Sequence, residues 1–295
     1  STSDEALALV RAGEITAPTV VLTGEQTAGR GRGRGAGTWT SSRGNLAISF
    51  VHFPDAPIRD WPALSYAAGL VLAQSLTEVC GFPDEAVRLK WPNDVFVGGG
   101  KVAGLLLETV AAPGGRQALV LGMGLNIEQA PELDRADYVA RSLRELGYQG
   151  PAKDVVLNLM DQWAATTAQF DQSSGPRARL FRDWQAKALY LGETIGVRID
   201  SGQRIQGQFI GLDDQSGALL LRLLEAQAAW RAPLFAAQEE VELGEVQDAV
   251  ALGDAQRHLE GEHELVDLPW RVLCALAHGR GVFLKREHER VTRTW

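Results

Sequence analysis

Cysteine is scarce: Cys80 and Cys274 are the only two in 295 residues. Two thiols are too few for a disulfide framework or a zinc cluster. Each sits among apolar neighbours, in LTEVCGF and RVLCALA. Buried, unreactive thiols are therefore expected, and with them a cytoplasmic location. No apolar run reaches the roughly 18 residues of a membrane-spanning helix, so no membrane association is expected. No signal-peptide pattern opens the residues, which start at Ser1. Positive charge is also short. Lys and Arg number 29 against 37 Asp and Glu, a formal net charge of −8. An isoelectric point near 5.2 argues against a dedicated nucleic-acid binder, although a local basic patch can persist on an acidic protein. There is no internal repeat.

What is present is ordinary globular composition, 45% hydrophobic and 22% charged, enough for one large domain and a smaller one. DEALALVRA, Asp4 to Ala12, reads as a short helix with Ser3 as its N-cap. TVVLTGE and NLAISFVHF read as strands. Pro62 to Cys80 repeats apolar residues at helical spacing, with Leu64, Val71, Leu72 and Leu76 in one stripe. VRLKWPNDVFV reads as a strand interrupted at Pro92. A hairpin is expected from Val95 to Val110 across Gly98–Gly100, and ALVLGMGLNI adds another strand. Helices are expected over Asp154–Phe170 and Pro176–Leu189. After Tyr190 the texture becomes short strands between SG, GL and QSG turns, as in a small β-barrel. The expectation is an α+β fold with a first domain over residues 1–188 and a small β domain over 189–250. Residues 251–295 form an extra tail of no assigned role, read as partly helical.

Four glycine-bearing stretches hold polar groups that a packed core does not need. GRGRGRGAGTW, Gly29 to Trp39, could be a nucleic-acid tail, a flexible linker or a loop closing on an anion. Its glycines free backbone N–H groups, and Arg30, Arg32 and Arg34 offer forked donors for phosphate or carboxylate. KWPNDV sets Asn93 and Asp94 at a strand end, as a plain turn or as an amide and carboxylate near a ligand or Mg²⁺. In GGGKVAGLLLE, Lys101 is a surface lysine or an ammonium placed to hold developing negative charge. Gly104 in mid-strand suggests a close approach by a ligand or backbone. LGMGLN is a poor dinucleotide fingerprint, but its missing side chains leave room for a flat ligand.

Taken in chain order, STSDEA, EQTAGRGRGRGAGTW, GNLAISF, KWPNDV, GKVAGLLLE and LGMGLNI resemble the biotin–protein ligases. The likeness covers residues 1–246. It implies a mixed-sheet catalytic domain of the biotin/lipoate ligase type with an SH3-like C-terminal barrel. It also implies ATP and biotin as substrates, Mg²⁺, and a two-step reaction through biotinyl-5′-AMP to a lysine of a biotin carboxyl carrier protein. By the same resemblance Ser1, Thr2, Ser3, Gln26, Arg30, Gly31, Arg32, Trp39, Lys101, Gly104, Gly122 and Gly124 contact biotin. Arg34, Asn93, Asp94 and Asn126 lie at the nucleotide, Asp94 at the metal, and Lys101, Arg32 and Arg30 act in catalysis. Two departures stand out. Ser3 occupies the family's usual Asn position. The Gly/Arg loop is longer by two residues than the family's GRGRRGR-x-W pattern; Arg32 is an active arginine whichever end anchors the register. No helix-turn-helix pattern occurs in these residues, so DNA binding is not expected, whereas homodimerisation through a sheet edge is a family expectation. The alternatives are a lipoate or octanoyl ligase or transferase of the same fold and, from a different class, an RNA-binding Gly/Arg module.

Overall fold

The computed structural model describes residues 1–31, 38–132, 138–172, 177–198, 204–223, 229–232, 271–275 and 281–283. Helix α1 (Thr2–Arg11) begins two residues earlier than the Ser3 cap implies. Ser1 is the cap: its hydroxyl accepts from the Asp4 N–H while the Asp4 carboxylate accepts from the Ser1 backbone nitrogen. This reciprocal box satisfies two otherwise orphaned donors. Ser3 is thereby carried into the helix and buried. Strand β1 (Thr19–Thr23) follows, then β2 (Gln26–Arg30) and β3 (Thr38–Ser41) as a separate two-stranded ribbon. Next come β4 (Leu46–His52), α2 (Ala63–Glu78), β5 (Val87–Lys90), β6 (Asp94–Val97), β7 (Gly100–Ala111) and β8 (Gln117–Leu125). Helices α3 (Ala152–Gln172) and α4 (Ala178–Ala186) precede β9 (Thr194–Arg198), β10 (Arg204–Leu212), β11 (Leu219–Leu223) and β12 (Ala229–Ala232). Strands β13 (Arg271–Ala275) and β14 (Gly281–Phe283) close the order.

The main sheet runs β14-β13-β1-β4-β8-β7-β6-β5. All pairings are antiparallel except β1 with β13. Strand β4 is buried at every residue because both its faces are covered. One face carries α1 through Ala6, Leu7 and Val10 against Val21, Val51, Val110 and Val120. The other carries Ile48, Phe50, Leu105, Leu107, Leu119 and Leu121 into a core shared with α2, α3 and α4. Helix α2 was expected to bury one stripe, yet twelve of its 16 residues are buried. It lies between the sheet and the outer helices, so its far side is covered as well. Each large apolar side chain buried this way contributes roughly 1.5–3 kcal/mol.

The four-stranded sheet β12-β11-β10-β9 is antiparallel, as the SG and QSG turns imply. Its Val197, Phe209, Leu212, Leu219 and Leu221 join the same apolar cluster as α2 and α4. Residues 233–250, counted with this unit from the sequence, lie outside the described residues. Of the tail read as partly helical, the described residues are strands: Arg271–Ala275 pairs with β1 and Gly281–Phe283 with β13, and the remainder lies outside the described residues. RVLCA is rich in β-formers and pairs along β1, a partner that local sequence does not reveal. Cys80 is half-buried rather than fully buried, and burial pushes its thiol up to about 12, which keeps it protonated and inert. The Cys274 side chain lies outside the described residues.

Candidate active site

The α1 face of β7 and β8 carries a bare floor. Gly104 and Gly124 are directly paired, and Gly122 pairs with Leu106 on one side and Ser49 on the other. A methyl at Gly124 would stand 2.3 Å from Trp39 Cε2, and one at Gly104 would stand 3.2 Å from Trp39 Cζ3. The indole of Trp39 therefore lies on the glycines, at a distance that side chains at these positions would forbid. Its Nε1 is buried and has no hydrogen-bond partner among the described residues.

Lys101 reaches this floor because of a β-bulge. Gly104 and Lys101 are three residues apart, which in a regular strand puts them on opposite faces. The β6–β7 register shifts between Val95 and Phe96, so Val95 pairs with Ala103 and Phe96 with Lys101. The extra residue in β7 turns Lys101 onto the Gly104 face, where its Cε lies 3.7 Å from a Cβ built on Gly104. There Lys101 Nζ meets Asp94 Oδ1 at 2.7 Å and lies 5.0 Å from the Tyr138 ring centroid. Burial works against the ammonium, but the Asp94 carboxylate, helped by the Tyr138 hydroxyl, outweighs it and holds the Lys101 pKa above its ordinary value. Asn93 is clamped to β7: its Nδ2 donates to Leu105 O at 2.6 Å, and its carbonyl accepts from Leu105 N at 2.8 Å. Asn126 donates from Nδ2 to Arg141 O at 3.2 Å, and its buried Oδ1 has no partner among the described residues.

At the other end of the floor stand the first residues of α1. Thr2 N donates to Gln26 Oε1 at 2.9 Å. Ser49 donates to Thr2 Oγ1 at 2.8 Å, and Ser3 Oγ is 3.0 Å from Ser49 Oγ. A serine has one proton to give. Since Ser49 spends its proton on Thr2, Ser3 is the donor to Ser49, and the remaining lone pairs of Ser3 are left for a ligand N–H. Its Oγ lies 2.4 Å from a Cβ built on Gly122, so that glycine too is required by the close approach. Ser1, by contrast, is occupied as the helix cap.

Arg30 joins β2 to both helix and sheet. It pairs with Asp4 at 2.7 Å and with the buried carboxylate of Glu108. Burial pushes the Glu108 carboxyl up to about 7, with Arg30 acting in the opposite direction. Burial also opposes ionisation of Asp4, but the Ser1 hydroxyl and Arg30 overcome it and hold that carboxyl below its usual range. Gly29 pairs with Trp39 and Arg30 with Thr38, so the two ends of the Gly/Arg run meet across a ribbon. The run therefore joins two paired strands of one ribbon, and residues 32–37 between them lie outside the described residues. Gly31 follows Arg30 at its mouth, while Arg32 and Arg34 lie outside the described residues.

Sequence reasoning missed Asp4, Ser49, Glu108 and Tyr138. Glu108 closes the GKVAGLLLE stretch, and a carboxylate ending an apolar strand was a visible signal. Tyr138 carries none, because only the backbone bonds of Lys101 to Val139 and Arg141 bring its segment alongside β7.

A flat, mostly apolar floor thus lies between a hydroxyl-and-amide cluster and a buried ammonium, at the mouth of a glycine-rich loop. Residues 1–126 match the biotin/lipoate A/B protein ligase family. A biotin–[acetyl-CoA-carboxylase] ligase of Paracoccus denitrificans is 38% identical over 226 residues, 75% of this chain and 90% of that protein. The chain belongs to the biotin/lipoate A/B protein ligase family. A second relative in that family, the biotin–[acetyl-CoA-carboxylase] ligase of Mycobacterium tuberculosis, is 36% identical over 73% of this chain and 77% of its own length. Among solved structures, the biotin protein ligase of Aquifex aeolicus in complex with biotin and ATP superposes with a TM-score of 0.65 at 25% identity. That match covers 82% of this chain and 94% of the other. The mixed α+β architecture with its antiparallel sheet is the architecture of these ligases.

Proposed function

We propose that the protein is an ATP-dependent biotin–protein ligase. The observation that carries this is the glycine floor Gly104–Gly122–Gly124 under Trp39, with hydrogen-bonding groups at one end and Lys101 at the other. The fused rings of biotin suit the floor. Ser3 and Thr2, held by Ser49 and Gln26, suit a ureido group, which needs both donors and acceptors. The carboxylate then lies toward Lys101. In the first step this carboxylate attacks the α-phosphorus of ATP and pyrophosphate leaves. Charge builds on the oxygens around phosphorus, and a preorganised ammonium stabilises it. Asp94 keeps Lys101 charged, and Asn93 fixes the turn that carries Asp94. In the second step a lysine amine of the carrier attacks the acyl carbon, AMP leaves, and the amine loses a proton.

Gln26, Gly31, Arg32 and Trp39 complete the biotin side in this proposal, with Arg30 and Ser1 setting the loop base and the helix start. Arg34 and Asn126 serve the nucleotide, and the unpartnered Asn126 Oδ1 is an acceptor open to a ligand donor. The loop closing over a water-labile acyl-adenylate gives its glycines a purpose. No cluster of three potential metal-binding side chains occurs among the described residues. Asp94, beside its bond to Lys101, would hold Mg²⁺ brought with ATP, and the ion would neutralise phosphate charge. The proposal extends to a biotin carboxyl carrier protein as acceptor, an SH3-like C-terminal unit over residues 189–250, a catalytic unit over 1–188, homodimerisation and a cytoplasmic location. No helix among the described residues is long and apolar enough to cross a membrane.

Biotin-dependent ATP–pyrophosphate exchange, followed by transfer to a carrier domain, tests this function. Exchange with lipoate or octanoate but not biotin would overturn it in favour of the other branch of the family.

A further inference from the structure

Tyr66 lies fully buried in the first turn of α2. Its hydroxyl accepts from Trp91 Nε1 at 2.8 Å and donates to Gly217 O. Trp91 opens the KWPND turn; Gly217 belongs to the turn between β10 and β11 of the small sheet. One oxygen therefore serves two segments that are 126 residues apart (217 − 91). The ring cannot swing, because Phe181 and Trp184 of α4 meet it edge-on, each with centroids 5.2 Å away.

Both partners are stiff. In the small sheet, Asp213 Oδ1 accepts from Ser216 N and Ser216 Oγ at 3.0 and 2.7 Å, and Gly217 N donates to Asp213 O at 2.8 Å. Gly217 has φ +71°, and a methyl there would stand 2.8 Å from Phe181 and 2.9 Å from Tyr66. Only glycine brings its carbonyl to the tyrosine. In the other direction, Trp91 is two residues from Asn93, which is bonded twice to Leu105, and three from Asp94, which holds Lys101.

We propose that Tyr66 is a positioning residue linking the docked turn of the small sheet to the KWPND turn, so that the alignment of Asp94 with Lys101 depends on that docking. This rests on the ligase function proposed above. A tyrosine that only fills the core would need one partner, and its loss would lower stability without altering the response of a distant turn to ligand.

The test uses the full chain carrying Tyr66→Phe, which keeps the ring and deletes the shared oxygen. Trp91 Nε1 and Gly217 O are then left buried without their partner. The expected result is a fall of about tenfold in kcat for biotin-dependent exchange, with KM for biotin within about twofold of wild type because Thr2, Ser3 and Gln26 are untouched. Hydrogen exchange supplies the second readout. Biotin with ATP raises protection of amides 213–218 in the wild type and fails to do so in the variant. An unchanged kcat, or an unchanged ligand-induced protection at 213–218, overturns the proposal. Should Tyr66→Phe lose its cooperative thermal transition, the exposed Ser216→Ala loosens the same turn without opening the core. A several-fold loss of kcat there supports the link, and wild-type kcat overturns it. A wild-type protein that exchanges with no biotin present to activate, or not at all, strikes the ligase function itself; an active wild type with an unaltered variant strikes only the link.

Discussion

Across the β6–β7 hairpin, Lys101 Nζ lies 2.7 Å from Asp94 Oδ1, because a bulge in β7 brings Lys101 onto the face that Asp94 shares with its direct partner Gly104. The carboxylate keeps a buried ammonium charged and aimed along the floor.

Replacing the ammonium tests that arrangement. Lys101→Ala is expected to lower the adenylation rate by about 10²–10³, on the order of 2.7–4 kcal/mol, as for other preorganised oxyanion donors. ATP–pyrophosphate exchange measures it, and a wild-type rate would remove Lys101 from the site. Asp94→Asn leaves the ammonium buried without its counter-charge, so burial pulls the Lys101 pKa down. The alkaline limb of the pH–rate profile should then move to lower pH.

The glycine floor makes a ranked prediction. Gly124→Ala forces the Trp39 indole aside, since its methyl would lie 2.3 Å from Cε2; Gly104→Ala meets only the ring edge at 3.2 Å. The first variant should weaken biotin binding about tenfold or more, and the second should weaken it less. Calorimetric titration with biotin checks the order, and the reverse order would place the ligand elsewhere.

In the proposed site, Ser49 stands behind Thr2 and Ser3. Ser49→Ala cuts the bonds to Thr2 and Ser3 without opening a large cavity. KM for biotin should rise several-fold, about 1 kcal/mol, while kcat stays near wild type. Equal losses in both would assign Ser49 to the chemical step instead.

Glu108 supplies a pH signature. Its carboxyl titrates near 7 in the folded chain against an ordinary value of 4.5. The folded state therefore holds this proton across that window while the unfolded state has lost it. From this group, stability falls as pH rises from about 4.5 to about 7. Denaturant midpoints measured through that window should fall with pH, and Glu108→Gln should flatten the slope.

Much of this was legible in the residues. Paired glycines at Gly98 and Gly99 mark the β6–β7 hairpin because both adopt positive φ, and Gly104, Gly122 and Gly124 announce a face without side chains. Local signals failed where packing intervened. The stripe on α2 did not foretell that α3 and α4 would cover its other side. RVLCA gave no sign of its partner β1, and Tyr138 enters the site only because its neighbours hydrogen-bond to Lys101.

Motif chemistry is local, so chain order alone established the family, the substrates to test and the residue types at the site. Whether those residues share one face is not local. Strand alternation puts Lys101 opposite Gly104, and a register shift against β6 reverses that. Ser3 looks like a cap in the sequence, but the Ser1–Asp4 box starts the helix two residues earlier and delivers the Ser3 hydroxyl to Ser49 and Gly122. Both outcomes depend on hydrogen bonds between segments distant in sequence or on competition between neighbouring caps, and only the folded chain resolves them.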